Sequence, residues 1–62
     1  MSDDILLEGR VLKKQKIGRI WIENNNIFCI YEGQPMLLKE FEYPDWAEFI
    51  LKNFFLPQLG RV

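Results

Sequence analysis

The chain contains no histidine and no threonine; its one cysteine is Cys29 and its one serine is Ser2. These shortages exclude whole chemistries. A single thiol cannot close an intramolecular disulfide. Without histidine or a second thiol, the donor sets that hold structural zinc cannot be assembled. Serine–histidine and cysteine–histidine catalysis lack an imidazole to act as base. The one serine precedes every asparagine, so no N-glycosylation sequon exists.

Long apolar runs are missing too. No stretch approaches the roughly 18 residues that a membrane-crossing helix needs. The N-terminal stretch MSDDILLEG is acidic, whereas a secretory leader opens on basic residues. A lone unpaired cysteine fits a reducing compartment. The expected location is the cytoplasm, with no membrane association. The net charge is −1, from 8 Lys and Arg against 9 Asp and Glu, so neither sign dominates.

What is present is apolar and aromatic. Of 62 residues, 48% are hydrophobic and 15% aromatic, which argues against disorder. A chain of this length makes one domain, 1–62, near the lower limit of independent folding. A core of that size contributes only about 3–5 kcal/mol, so packing or association must supply the rest.

The β-rich segment Ile5–Leu12 is followed by a basic connection, KKQKIG. GRIWIE and IFCIY, joined through NNN, have the composition of two strands around a tight turn, since asparagine tolerates positive φ. EGQP is a second turn, and MLLKEF a further strand. The period then changes. PDWAEFILKNFF carries Asp45 and Glu48 at capping-box spacing, and Pro44 and Phe49 are placed to form a hydrophobic staple. Trp46, Phe49, Ile50, Asn53 and Phe54 recur at helical spacing before Pro57 ends the pattern. The expected fold is α+β: a four-stranded antiparallel meander, open or curled into a half-open barrel, with one C-terminal helix. Strands are expected near 5–12, 18–23, 27–31 and 36–41, a helix near 45–55, and a tail over 56–62.

With Asn24-Asn25 as the turn, Ile22 faces Ile27, Trp21 faces Phe28 and Ile20 faces Cys29. One face then holds Ile20, Ile22, Ile27, Cys29 and Tyr31, and the other holds Trp21, Phe28 and Ile30. Small antiparallel sheets are ordinarily dry on one side only, but both of these faces are apolar. The helix shows the same excess. Asp45, Glu48 and Lys52 occupy one narrow side, and Trp46, Ala47, Phe49, Ile50, Leu51, Phe54 and Phe55 fill most of the rest. Either the sheet curls to bury both faces, or another chain covers one of them.

No spacing singles out a catalytic, metal or cofactor site, and Cys29 between Phe28 and Ile30 has the surroundings of a buried small hydrophobe. The expectation is a protein without enzymatic activity, cofactor or small-molecule substrate. It is an interaction module, a homodimer that acts as inhibitor or adaptor on another macromolecule, of the small kind that phages and mobile elements encode. Its expected contact residues are Trp21, Phe28, Ile30, Phe54 and Phe55, aromatic anchors of the type interfaces favour. The competing account is nucleic-acid binding through a basic hairpin, 10–19, that carries Arg10, Lys13, Lys14, Lys16 and Arg19. Against it stands the absence of domain-wide basicity. The acidic segment around Glu40, Glu42, Asp45 and Glu48 suits a basic partner surface, although Asp45 and Glu48 also suit a helix N-terminus. The tail, with Leu56, Leu59 and Val62, is placed to meet a neighbouring sheet edge or groove, or to fray.

Overall fold

A computed structural model describes residues 3–61. Its strands are set by two-residue turns. β1 (Asp4–Leu7) and β2 (Arg10–Lys13) meet at Glu8-Gly9, with φ of 48° and 80°. β3 (Ile17–Glu23) and β4 (Asn26–Tyr31) meet at Asn24-Asn25, with φ of 52° and 64°. β4 and β5 (Gln34–Glu40) meet at Glu32-Gly33, with φ of 52° and 84°. Positive φ at both central residues is the signature of the turn whose twist matches that of paired strands.

The strands form a two-stranded sheet, β1-β2, and a three-stranded sheet, β3-β4-β5, all antiparallel. The expected four-stranded meander is therefore corrected. Segment 5–12 is not one strand but a hairpin, because Glu8-Gly9 turns the chain as Glu32-Gly33 does. Nor do β2 and β3 pair. A 3₁₀ turn, Lys14–Lys16, carries the chain from one sheet to the other, so segment 10–19 spans β2, this crossing and the start of β3 and is not a hairpin of its own.

The β3–β4 register places Ile22 opposite Ile27, Trp21 opposite Phe28 and Ile20 opposite Cys29, as the Asn24-Asn25 turn requires. The core consists of Ile5, Leu7 and Leu12 from the small hairpin, Ile17, Ile27, Cys29 and Leu38 from the larger sheet, and Ala47 and Phe55 from the helix. Ile20, Ile22 and Tyr31 pack against this cluster. Trp21, Phe28 and Ile30 stay outside it, so the two predicted faces are physically distinct. Cys29 is fully buried, and burial pushes its thiol pKa up, away from the reactive thiolate.

The larger sheet is irregular in two places, and an arginine closes each. The β3–β4 register shifts between Ile17 and Ile20, and the β4–β5 register shifts between Ile27 and Phe28. A bulge leaves ladder groups unpaired, and these need other partners. The Arg61 guanidinium donates to the Ile17 carbonyl at 2.8 Å and to the Gly18 carbonyl. The Arg10 guanidinium donates to the carbonyl of Leu38, the buried extra residue of the second bulge, at 3.2 Å. The small hairpin is further tied to the sheet by an ion pair between Lys39 and Glu8, and by the Lys13 N–H donating to the Tyr31 hydroxyl at 3.1 Å.

The C-terminal helix runs from Pro44 to Leu59 in three consecutive pieces: α1 (Pro44–Ile50), a π segment over Leu51–Phe55, and α2 (Leu56–Leu59). It starts with Pro44 in the first turn and with no side-chain cap, so the expected capping box does not form. Phe49, at the staple position, is exposed. The expected stop at Pro57 is also corrected. Proline cannot donate to the carbonyl four residues back and clashes with it. One turn earlier the helix widens, with the Leu56 N–H bonded to the Leu51 carbonyl, and so it passes through the proline. It ends at Gly60, φ 72°, where the Arg61 N–H bonds the Leu56 carbonyl at 2.8 Å and the Gly60 N–H bonds the Pro57 carbonyl at 3.1 Å. The expected tail 56–62 is thus helical through Leu59, and Val62 lies outside the described residues. No helix among the described residues is long and apolar enough to cross a membrane.

Candidate interaction surfaces

Three strands bring a row of apolar side chains to the outer face of the larger sheet. Trp21 of β3 lies opposite Phe28 of β4, which lies opposite Leu37 of β5. The Trp21 and Phe28 rings stack with centroids 5.8 Å apart and planes 20° from parallel. The Arg19 guanidinium stands 5.5 Å from the centre of the Trp21 ring. The Trp21 indole N–H donates to a Glu23 carboxylate oxygen at 3.3 Å. Ile30, opposite Pro35, extends the row and is half-buried like Trp21 and Phe28, whereas Leu37 is exposed.

A second apolar surface lies on the helix. Ala47, the smallest side chain of α1, is the one buried against the sheet, and Phe55 supplies bulk to the core from the π segment. The larger residues Trp46, 56% exposed, and Phe49, 52% exposed, therefore point away, as does Tyr43 just before the helix. Of the two helix residues singled out as contacts, Phe54 is on the surface. Phe55, 1% exposed, is a core residue and meets Phe54 edge-to-face at 5.0 Å. Sequence reasoning did not mark Tyr43, Trp46 and Phe49 as the exposed aromatics. The available signal was the helix that is apolar nearly all round, together with an alanine, which permits the closest approach.

Between the end of β5 and this helix lies an open groove of about 410 Å³, lined by Lys39, Glu40, Phe41, Glu42, Trp46 and Ile50. Phe41 and Ile50 lean on the core, so the floor is apolar, whereas the lining residues Glu40, which pairs with Asn26, and Glu42 are exposed. On the small hairpin, Leu6 and Val11 form an exposed cross-strand pair.

The charges are unevenly engaged. Arg10 and Arg61 bond the bulge carbonyls, and Arg19 covers Trp21. Lys13 approaches Asp4 at 3.8 Å, Lys16 holds Glu32 at 3.1 Å, and Lys52 holds Glu48 at 2.7 Å. Lys39 holds Glu8, and Lys14 is engaged as well. Seven of the 8 Lys and Arg side chains thus have a partner within the chain, and Lys14 is not free either. Among the acidic groups, Glu40, Glu42 and Asp45 have no ion pair or hydrogen bond among the described residues. The bond to Lys39 lowers the Glu8 pKa, the bond to Lys52 lowers that of Glu48, and the bond to Glu32 raises that of Lys16. The five basic residues weighed for nucleic acid are dispersed. Arg10 follows the Glu8-Gly9 turn, Lys13, Lys14 and Lys16 lie at the other end of β2, and Arg19 lies on the outer sheet face. No protein-family model matches this chain, and no curated protein or solved structure matches it either.

Proposed function

We propose that the chain is a non-enzymatic protein-interaction module of the cytoplasm. It forms a homodimer through the outer face of its larger sheet and acts as an inhibitor or adaptor of the kind mobile elements encode. The observation that carries this reading is the Trp21–Phe28 stack, which lies outside the core with Leu37, 37% exposed, beside it. An aromatic pair at the centre of an apolar row is the anchor that protein interfaces favour.

A second copy suits this face because its charges are self-complementary. Arg19 and Glu23 flank Trp21 at alternate positions of the same strand, on the same face. A two-fold axis passing near Trp21 brings Arg19 of one copy to Glu23 of the other. Nucleic-acid binding receives less support, since the basic side chains it would use are dispersed and already hold partners within the chain.

The test is light scattering on wild type and Leu37→Glu over a dilution series. Wild type should show twice the monomer mass at high concentration and dissociate on dilution, and the variant should remain monomeric while folded. A monomeric wild type at every concentration would overturn the dimer.

A further inference from the structure

We infer that the groove between β5 and the helix receives an arginine side chain from a segment of a partner protein. The inference deepens the interaction-module reading and concerns a groove that adjoins the outer sheet face at Glu40, which pairs with Asn26, while Trp21, Phe28 and Leu37 take no part in it.

Every lysine and arginine is engaged within the chain, yet Glu40, Glu42 and Asp45 are exposed and unpaired in one short segment. Two of them line a groove whose walls are Phe41, Trp46 and Ile50. The remaining lining residue, Lys39, is held by Glu8 and stands 5.7 Å from the centre of the Phe41 ring. One wall thus already uses a cation over an aromatic ring, while the Trp46 ring, more than half exposed, has no such partner.

These features specify the occupant's chemistry. An anion would meet Glu40 and Glu42. A wholly apolar segment would strip water from those carboxylates and return no hydrogen bond. Arginine has an apolar stem for the floor, a planar guanidinium that stacks on indole, and a fork of donors that matches a carboxylate. The groove volume of about 410 Å³ lies at the lower end of the roughly 300–1,000 Å³ typical of ligand sites. It holds a long side chain and its neighbours, not a folded domain.

The experiment uses the isotope-labelled full chain and NMR. The probes are N-acetyl-arginine methylamide, its neutral isostere N-acetyl-citrulline methylamide, and free arginine. The capped arginine should shift resonances of residues 39–50, including the Trp46 indole, and bind about fivefold more tightly than the citrulline analogue. Free arginine, whose own carboxylate meets the acidic rim, should bind more weakly than the capped residue. A double variant, Glu40→Gln with Glu42→Gln, leaves the groove walls intact and should abolish the preference for arginine. Equal binding of arginine and citrulline, or shifts spread evenly over Glu8, Glu32 and Glu48, would overturn the inference. Free arginine binding as tightly as the capped residue would overturn a protein segment as the occupant. Light scattering on the same samples separates the two proposals. A dimer that persists without arginine selectivity removes the groove assignment alone, and arginine selectivity in a monomer removes the dimer alone.

Discussion

The Arg61 guanidinium donates to the Ile17 carbonyl at 2.8 Å, across 44 residues of sequence. It joins the end of the helix to the bulged start of β3, where the ladder to β4 is interrupted. The Gly60 turn that ends the helix also aims this arginine, because the Arg61 N–H is fixed to the Leu56 carbonyl. Charge-assisted bonds are worth about 1.5–3 kcal/mol when buried, and partial exposure reduces that. Arg61→Ala should therefore lower unfolding free energy by about 1–2 kcal/mol. Arg61→Lys should recover only part of the loss, since an ammonium lacks the fork that reaches two carbonyls. Urea denaturation measures both. Equal stability of wild type and Arg61→Ala would mean the latch contributes nothing.

The glycines at turns and bulges should respond differently to one added methyl. Gly33 has φ of 84° and open space around it, so Gly33→Ala meets backbone strain alone, about 1–2 kcal/mol. Gly18 requires no positive φ, and its added carbon would lie 3.5 Å from the Ile30 carbonyl oxygen, an ordinary contact. Gly18→Ala should change stability by less than about 0.5 kcal/mol. Thermal melts of the two variants should separate clearly.

The helix should divide into a structural side and a free side. Phe55 is enclosed by the core, so Phe55→Ala should cost about 3–5 kcal/mol and leave this small chain largely unfolded at room temperature. Trp46→Ala removes a side chain that is mostly in water and should cost less than about 1 kcal/mol. Far-ultraviolet circular dichroism under denaturant titration distinguishes them.

Stability should be flat around neutrality and fall in acid. The Glu8 and Glu48 pKa values are lowered below 4.5 by their bonds to Lys39 and Lys52. Their contribution is complete above the ordinary carboxylate value and is lost as the pH drops through the lowered one. For Lys16, raised above 10.5 by Glu32, the contribution is complete below the ordinary value and lost as the pH climbs through the raised one. The chain has no histidine to titrate near pH 7, and burial pushes the Cys29 thiol up, away from that range. Melting midpoints should be level from about pH 5 to 9 and decline below about pH 4.5, with a shallower decline in the Glu8→Gln, Glu48→Gln double variant.

The hairpin of β3 and β4 could be read from sequence because Asn24-Asn25 fixes a register, and the register assigns every side chain to a face. Glu8-Gly9 carries the same kind of signal as Glu32-Gly33 but is hidden inside an apolar run, so segment 5–12 has the pattern of one strand. The Pro57 stop failed because a π turn, a tertiary accommodation, lies outside local propensity. The core role of Phe55 failed for a related reason. A helix apolar on nearly every side does not reveal which stripe faces inward until the approach at Ala47 is known. The two arginine bonds to the bulges could not be foreseen, since a bulge in this chain leaves no mark on the alternation of side chains.

The proposed dimer brings Trp21, Phe28 and Leu37 against their counterparts in a second copy. The most direct measurement is an isotope-filtered NOE experiment on an equimolar mixture of labelled and unlabelled chain at millimolar concentration. Intermolecular contacts from the Trp21 indole to Phe28 and Leu37 are expected. Intermolecular contacts absent from this face, in a sample whose relaxation matches a monomer, would contradict the dimer.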